Sequence, residues 1–278
     1  MRFAFVAALA ALTLWAAAPA RAASTGEAVE FQAGKLAIKA MLFKPDGPGP
    51  FPAVIGMAGC EGLNNSSGAL LTRYRDWAER LEKAGFATLF PDSLGARGIA
   101  NQCRNRASVL HTNRERVADA DAARDWLQQQ PFIKPEHISL VGWANGGIAV
   151  LWSVRPHIGE NRGKPDFRSA VAFYPGCNRL EATAWSARVP TLILIGSADD
   201  WASARKCEKM VANARGRSAK VTLVVYPGAY HDFDDAKRPV QMHTGNAFSV
   251  DGSGRVHTGL NASARADAFK RVPQWLAR

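Results

Sequence analysis

Beyond its first 22 residues the chain has no apolar run that approaches the roughly 20 residues a membrane-spanning helix needs. No segment repeats, none is compositionally simple, and no Pro-, Gly- or Ser-rich linker divides the sequence, so solenoids and strings of small domains are excluded. Cysteine is scarce, at four residues, with no CxxC pair and no His/Cys cluster at ligand spacing. A zinc site is therefore not expected, and no other metal and no cofactor are expected either. The Lys and Arg residues are scattered and accompany no RNA- or DNA-binding motif, which sets nucleic acid aside as a partner.

What is present points to a large core: 47% of the 278 residues are hydrophobic and 21% are charged, the balance of a globular domain. Arg2 is followed by an apolar run from Phe3 to Ala18, then Pro19 and Ala20-Arg21-Ala22. A charged start, a short apolar stretch and an A-x-A site are the parts of a secretory signal. Residues 1–22 are expected to be cleaved, leaving 23–278 as one domain, periplasmic or secreted, monomeric and without a stable membrane anchor. Losing Arg2 and Arg21 lowers the formal charge from +11 to +9. That charge suits an anionic ligand, and equally a basic but merely solvated surface. In an oxidising compartment Cys60, Cys103, Cys177 and Cys207 are expected to form disulfides, in one of three pairings.

After a polar stretch at Ser24 to Glu30, short apolar runs alternate with amphipathic ones, the pattern of an α/β fold. Strands are predicted at Pro52–Met57, Phe86–Phe90, Ile138–Val141, Ser169–Tyr174, Thr191–Ile195 and Val221–Tyr226. Their nearly continuous apolar character implies a mostly parallel sheet with helices on both faces. Helices are predicted at Ala69–Lys83, where Leu70, Leu71, Tyr74, Trp77, Ala78 and Leu81 share a face, at Arg116–Gln130, and at Ala262–Ala277, where Pro273 threatens a kink. Within the long irregular segment Asp234 to Leu260, Phe248 to Val256 reads as a small hairpin, either a rim over a site or a surface excursion.

The strand ending at Val141 runs into Gly142-Trp143-Ala144-Asn145-Gly146-Gly147 and then a helix. This is the outline of a nucleophile elbow, in which glycines allow a sharp strand-to-helix turn that exposes a central nucleophile beside backbone N–H donors. The central residue is Ala144. Taken alone the glycines are weak evidence, since many strand-to-helix turns only pack or bind anions. The downstream sequence strengthens them: Thr191–Ile195 leads into Gly196-Ser197-Ala198-Asp199-Asp200, and Val221–Tyr226 leads into Tyr230-His231-Asp232-Phe233. Elbow, acid, histidine, each after a strand, is the chain order of an α/β-hydrolase triad. Asp199 is the expected orienting acid, with Asp200 as its alternative, and His231 the expected base.

With these motifs, with Phe90-Pro91-Asp92-Ser93-Leu94-Gly95-Ala96-Arg97-Gly98, and with the closing helix Asn261 to Leu276, the chain resembles the dienelactone hydrolase family over nearly all of residues 23–278. The resemblance implies an α/β-hydrolase fold, hydrolysis of carboxylic esters or lactones, and Ser or Cys at position 144. Ala144 departs from both and puts turnover in question rather than fold. Small-molecule esters, lactones or carboxylates are the expected ligands; the alternative is a pseudoenzyme that binds them without chemistry. Oxyanion and substrate contacts are expected from Asn145, from the Ala58 to Glu61 loop including Cys60 and Glu61, and from Trp143, with Trp201 and Tyr230 beside the pocket. Arg97 is expected either to hold a substrate carboxylate or to pin its loop by a salt bridge. Because loops after adjacent strands meet at one sheet edge, Cys60 is predicted to pair with Cys103 and Cys177 with Cys207, clamping site loops.

Overall fold

The computed structural model describes residues 26–104, 110–156 and 163–278; the expected signal segment lies outside them. Ten strands, β1 (Glu27–Ala33), β2 (Leu36–Phe43), β3 (Phe51–Met57), β4 (Ala87–Pro91), β5 (Ile133–Trp143), β6 (Ala170–Phe173), β7 (Thr191–Gly196), β8 (Val221–Tyr226), β9 (Gln241–His243) and β10 (Val256–Thr258), are interspersed with six α-helices and a short 3-10 helix (Gly95–Arg97) among these residues. The α-helices are α1 (Thr72–Lys83), α2 (Glu115–Gln128), α3 (Asn145–Ser153), α4 (Asn178–Glu181), α5 (Ala204–Asn213) and α6 (Ala262–Leu276). The first eight strands form one sheet in the order β1-β2-β4-β3-β5-β6-β7-β8. From β4 to β8 neighbouring strands are parallel, while β1 and β2 add an antiparallel edge. This is the α/β-hydrolase architecture that the sequence implies.

Every residue of β4, β6 and β7 is buried, which requires cover on both faces of the sheet. The edge hairpin β1–β2, turning at Gly34, adds two strands to the six predicted, and β1 begins within the polar stretch expected at Ser24 to Glu30. Its strands alternate exposed and buried residues, a weaker signal than a continuous apolar run. Pro273 lies inside α6 without ending it. The expected hairpin at Phe248 to Val256 is a correction: the paired strands are β9 and β10, in which His243 opposes Val256, and residues 244–255 form the loop between them. In the described residues no helix is long and apolar enough to cross a membrane.

Cys60 is bonded to Cys103 and Cys177 to Cys207, spanning 43 and 30 residues of sequence. The first ties the loop after β3 to the long β4–α2 connection; the second ties the loop after β6 to α5. Reduction is expected to lower stability by about 2–4 kcal/mol per bridge. Urea unfolding with and without reductant checks this, and a change below about 1 kcal/mol for both together would count against it.

Candidate active site

β5 lies between β3 and β6, so the elbow at its C-terminal end opens at the centre of the sheet. Ala144 has φ 47° and ψ −112° there, a conformation that costs an L-residue about 1–3 kcal/mol. Its N–H donates to the Phe173 carbonyl of β6 at 3.0 Å, and its carbonyl accepts from Ile148 at 2.9 Å, the first bond of α3. The N–H groups of Asn145, Gly146 and Gly147 thus precede any intrahelical acceptor and stand at the positive end of the helix. Gly146 is required by close approach: a Cβ there would lie 1.9 Å from the Met57 carbonyl oxygen at the end of β3. The flanking glycines therefore press the elbow against the loop that carries Ala58 to Glu61.

Four non-glycine residues in the described chain have positive φ: Ala144, Tyr174, Ala184 and Asp232. Two of them, Tyr174 and Asp232, adjoin one histidine. His231 is 4% exposed and its Nδ1 lies 2.8 Å from Asp199 Oδ2. Asp199 Oδ1 accepts from the N–H groups of Trp201 and Ala202 at 3.0 and 2.8 Å, so the carboxylate is fixed and Nδ1–H points at it. Gly196 lets the acid loop meet the histidine loop, since a Cβ there would strike the Ala229 carbonyl oxygen at 1.9 Å. The Tyr174 ring lies 4.5 Å from the His231 ring and that of Trp201 4.8 Å, centroid to centroid. Tyr174 directly follows Phe173, whose carbonyl holds Ala144, and this links elbow and imidazole. Two hollows of about 570 and 340 Å³, one along α5 and β8 and one beside β2, include neither His231 nor Ala144.

Burial pulls the His231 pKa down, but the charge and hydrogen bond of Asp199, with Asp232 behind, outweigh it and raise the pKa above the usual value. A pKa raised by folding means that this contribution to stability is complete below the unfolded value of about 6.5 and is lost as pH rises through the folded one. NMR titration of the His231 ring is expected to show a midpoint above about 6.5 that falls in Asp199→Asn. A midpoint at or below the usual value would contradict the pairing.

The other expected site residues divide. Asp200 does not hold the base: its Oδ2 lies 2.7 Å from Nδ1 of His257 on β10, a ring that stacks on Tyr230. Trp143 is corrected from pocket wall to core. It is fully buried, it stacks on Phe173 with centroids 5.5 Å apart, and its Nε1 donates to Asp234 Oδ2 at 2.9 Å. Both terminal nitrogens of Arg97 are engaged by Asp119, at 2.9 and 2.8 Å, so the loop-pinning alternative is the one present. Asn145 is half-buried at the start of α3, and its Oδ1 accepts from Arg116 Nη1 at 2.7 Å. In the loop after β3, the Gly59 N–H is taken by the Tyr74 hydroxyl at 2.8 Å, which also donates to Glu61. Among the described residues the N–H groups of Cys60 and Glu61 have no acceptor, which leaves them as donors of that loop. Cys60 and Cys103 gather with Glu61 within 4.8 Å, but their sulfurs are joined to each other and are not thiolate ligands.

Two buried arginines were not evident from the sequence. Arg116, at the start of α2, joins the two halves of the oxyanion region, donating to Asn145 Oδ1 and to the Ala58 carbonyl, each at 2.7 Å. Burial, resisted by Asp119, lowers its pKa to about 10. Arg73, on α1, donates to Asp232 Oδ1 at 2.7 Å and to the Tyr174 hydroxyl at 2.9 Å, and lies 3.4 Å from Glu61. Arg73 sits four residues before Trp77, beside the apolar face of its helix, and that spacing was the available signal.

The sequence profile of the dienelactone hydrolase family matches residues 38–278. A Bradyrhizobium protein named "Probable 2-oxo-3-(5-oxofuran-2-ylidene)propanoate lactonase" is 26% identical over 221 residues, covering 72% of this chain and 82% of its own. Among solved structures, the dienelactone hydrolase-like promiscuous phosphotriesterase P91 from metagenomic libraries superposes with TM-score 0.64 at 18% identity, over 92% of this chain and 98% of that one. The dienelactone hydrolase of Anabaena variabilis gives TM-score 0.61 at 20% identity, over the same shares. Those two likenesses speak for the fold; the profile match, extending from β2 to the last residue, shows that this chain belongs to the dienelactone hydrolase family.

Proposed function

We propose that the chain is an exported member of this hydrolase family that binds carboxylic esters, lactones or small carboxylates, and that its hydrolysis is nearly abolished by Ala144. The observation that carries the reading is the intact pair of Asp199 and His231, 2.8 Å apart, on the scaffold of an elbow that offers a methyl group where a nucleophile belongs. In a form bearing Ser or Cys, the nucleophile would attack the carbonyl, His231 would relay its proton, Asp199 would hold the imidazole, and the N–H of Asn145 with one from Cys60 or Glu61 would meet the oxyanion. Removing the side-chain nucleophile leaves those backbone donors in place, so a carbonyl or carboxylate still finds its partners. Two disulfides fit an oxidising compartment.

Calorimetry with short esters, lactones and small carboxylates tests this. Binding is expected, weakened in His231→Ala and Asp199→Asn. Absent binding, or binding indifferent to both substitutions, would move the functional surface elsewhere.

A further inference from the structure

The same pair supports a second chemistry, which rests on the carbonyl-binding role just proposed. Once the nucleophile is gone, a histidine base beside N–H donors has two protons within its power: that of a water, or that of a carbon next to the bound carbonyl. The surroundings of His231 favour the second. A nucleophilic water needs two to four polar partners to hold it, and a bound carbonyl oxygen would occupy the N–H donors of the elbow first. The imidazole is instead bounded by the rings of Tyr174 and Trp201. The Tyr174 hydroxyl is engaged, donating to Asp234 Oδ1 at 2.6 Å and accepting from Arg73 at 2.9 Å. The Asn145 side-chain oxygen is likewise held by Arg116, and position 144 contributes only a methyl. Among the described residues Nδ1 of His231 is bonded to Asp199 and Nε2 has no hydrogen-bond partner. The result is a base with one open ring nitrogen, aromatic rings on two of its sides, and N–H donors at the elbow for a carbonyl oxygen, an arrangement that a carbon acid can use.

We infer that the chain catalyses proton transfer at the carbon α to the carbonyl of a bound lactone or ester. His231 Nε2 takes the α-proton. The C–H electron pair becomes the C=C bond of an enolate, and the carbonyl electrons move onto the oxygen facing the Asn145 N–H. The protonated imidazole, stabilised by Asp199, then returns the proton, either to the same carbon or, in an unsaturated lactone, to the γ-carbon with migration of the double bond. Nothing is consumed: the products are the exchanged substrate or its conjugated isomer, with the ring closed. Substrates would be lactones or esters carrying an activated α-hydrogen, above all β,γ-unsaturated ones.

The test uses the chain as it stands with α-angelica lactone in D₂O, followed by proton NMR. Loss of the C3 proton signal and growth of the conjugated isomer are expected faster than in buffer, without matching ring opening. The acceleration is expected to fall by roughly 10²-fold or more in His231→Ala, the usual contribution of a positioned base, and to fall in Asp199→Asn as well. In Ala144→Ser, a hydroxyl facing Nε2 is expected to suppress exchange while ring opening rises. Saturation-transfer NMR on the same samples separates the two proposals. A lactone that binds but exchanges no faster than in buffer, or equally fast in both the histidine and the aspartate variants, overturns this inference and leaves the binding role standing. A lactone that does not bind overturns both.

Discussion

Ala144→Ser is expected to raise hydrolysis of short aryl esters by several orders of magnitude, toward the roughly 10⁶-fold that separates complete from nucleophile-less triads. The elbow already has the conformation a serine needs, at φ 47° and ψ −112°, so the substitution adds an oxygen without asking the backbone to move. The strain is the same for Ala and Ser. The gained hydroxyl would meet a base whose Nδ1 is held and whose pKa is raised by Asp199. Stopped-flow measurement with an aryl acetate should show a burst of the aryl alcohol equal to the enzyme present, the sign of an acyl-enzyme, which the alanine form lacks. A folded serine form as inert as the alanine form would mean that the three positions do not act as one unit, and the triad assignment would fail.

The strands and the order of the site were legible because their signals are local. Continuous apolar runs mark β3 to β7, and each functional residue comes within a few positions of a strand end. Gly142, Gly146 and Gly196 stood out for the same reason, although what makes Gly146 necessary, the carbonyl oxygen of Met57, is distant in sequence. Trp143 misled because position along the chain says nothing about which way a ring turns. Next to a strand end it was as able to face the pocket as the core, and the acceptor that drew its Nε1 inward, Asp234, lies 91 residues away. Asp234 itself reads as an ordinary loop acid. Three donors, Trp77, Trp143 and Tyr174, converge on it, and burial raises its pKa against the pull of Arg73, Tyr174 and Trp77. The width of the β9–β10 hairpin was hidden similarly, since part of what holds its loop is a bond from the Val250 N–H to the carbonyl of Asp200.

Arg73→Met is expected to destabilise the protein by about 3–5 kcal/mol, the cost of leaving a buried charge without its partner. Arg73 is 2% exposed and carries the closest contact of Asp232, while Arg238, at 3.4 Å and more exposed, is a poor replacement. Burial opposes the charge of Asp232, and it is Arg73, with His231 and Arg238, that brings its pKa below the usual range. A depressed carboxyl pKa contributes stability that is present above the unfolded value and lost as pH falls through the folded one, so the variant's deficit should shrink in acid. Pairing with Asp232→Asn in a double-mutant cycle should recover part of the loss, because the orphaned charge is then gone. A merely structural role would end there. Arg73 also lowers the pKa of His231 through its own charge, so the same variant should move the imidazole midpoint upward. Urea unfolding and histidine titration on one sample read both effects. A loss below about 1 kcal/mol, with the midpoint unmoved, would show that Arg73 neither holds the oxyanion loop to the histidine loop nor tunes the base between them.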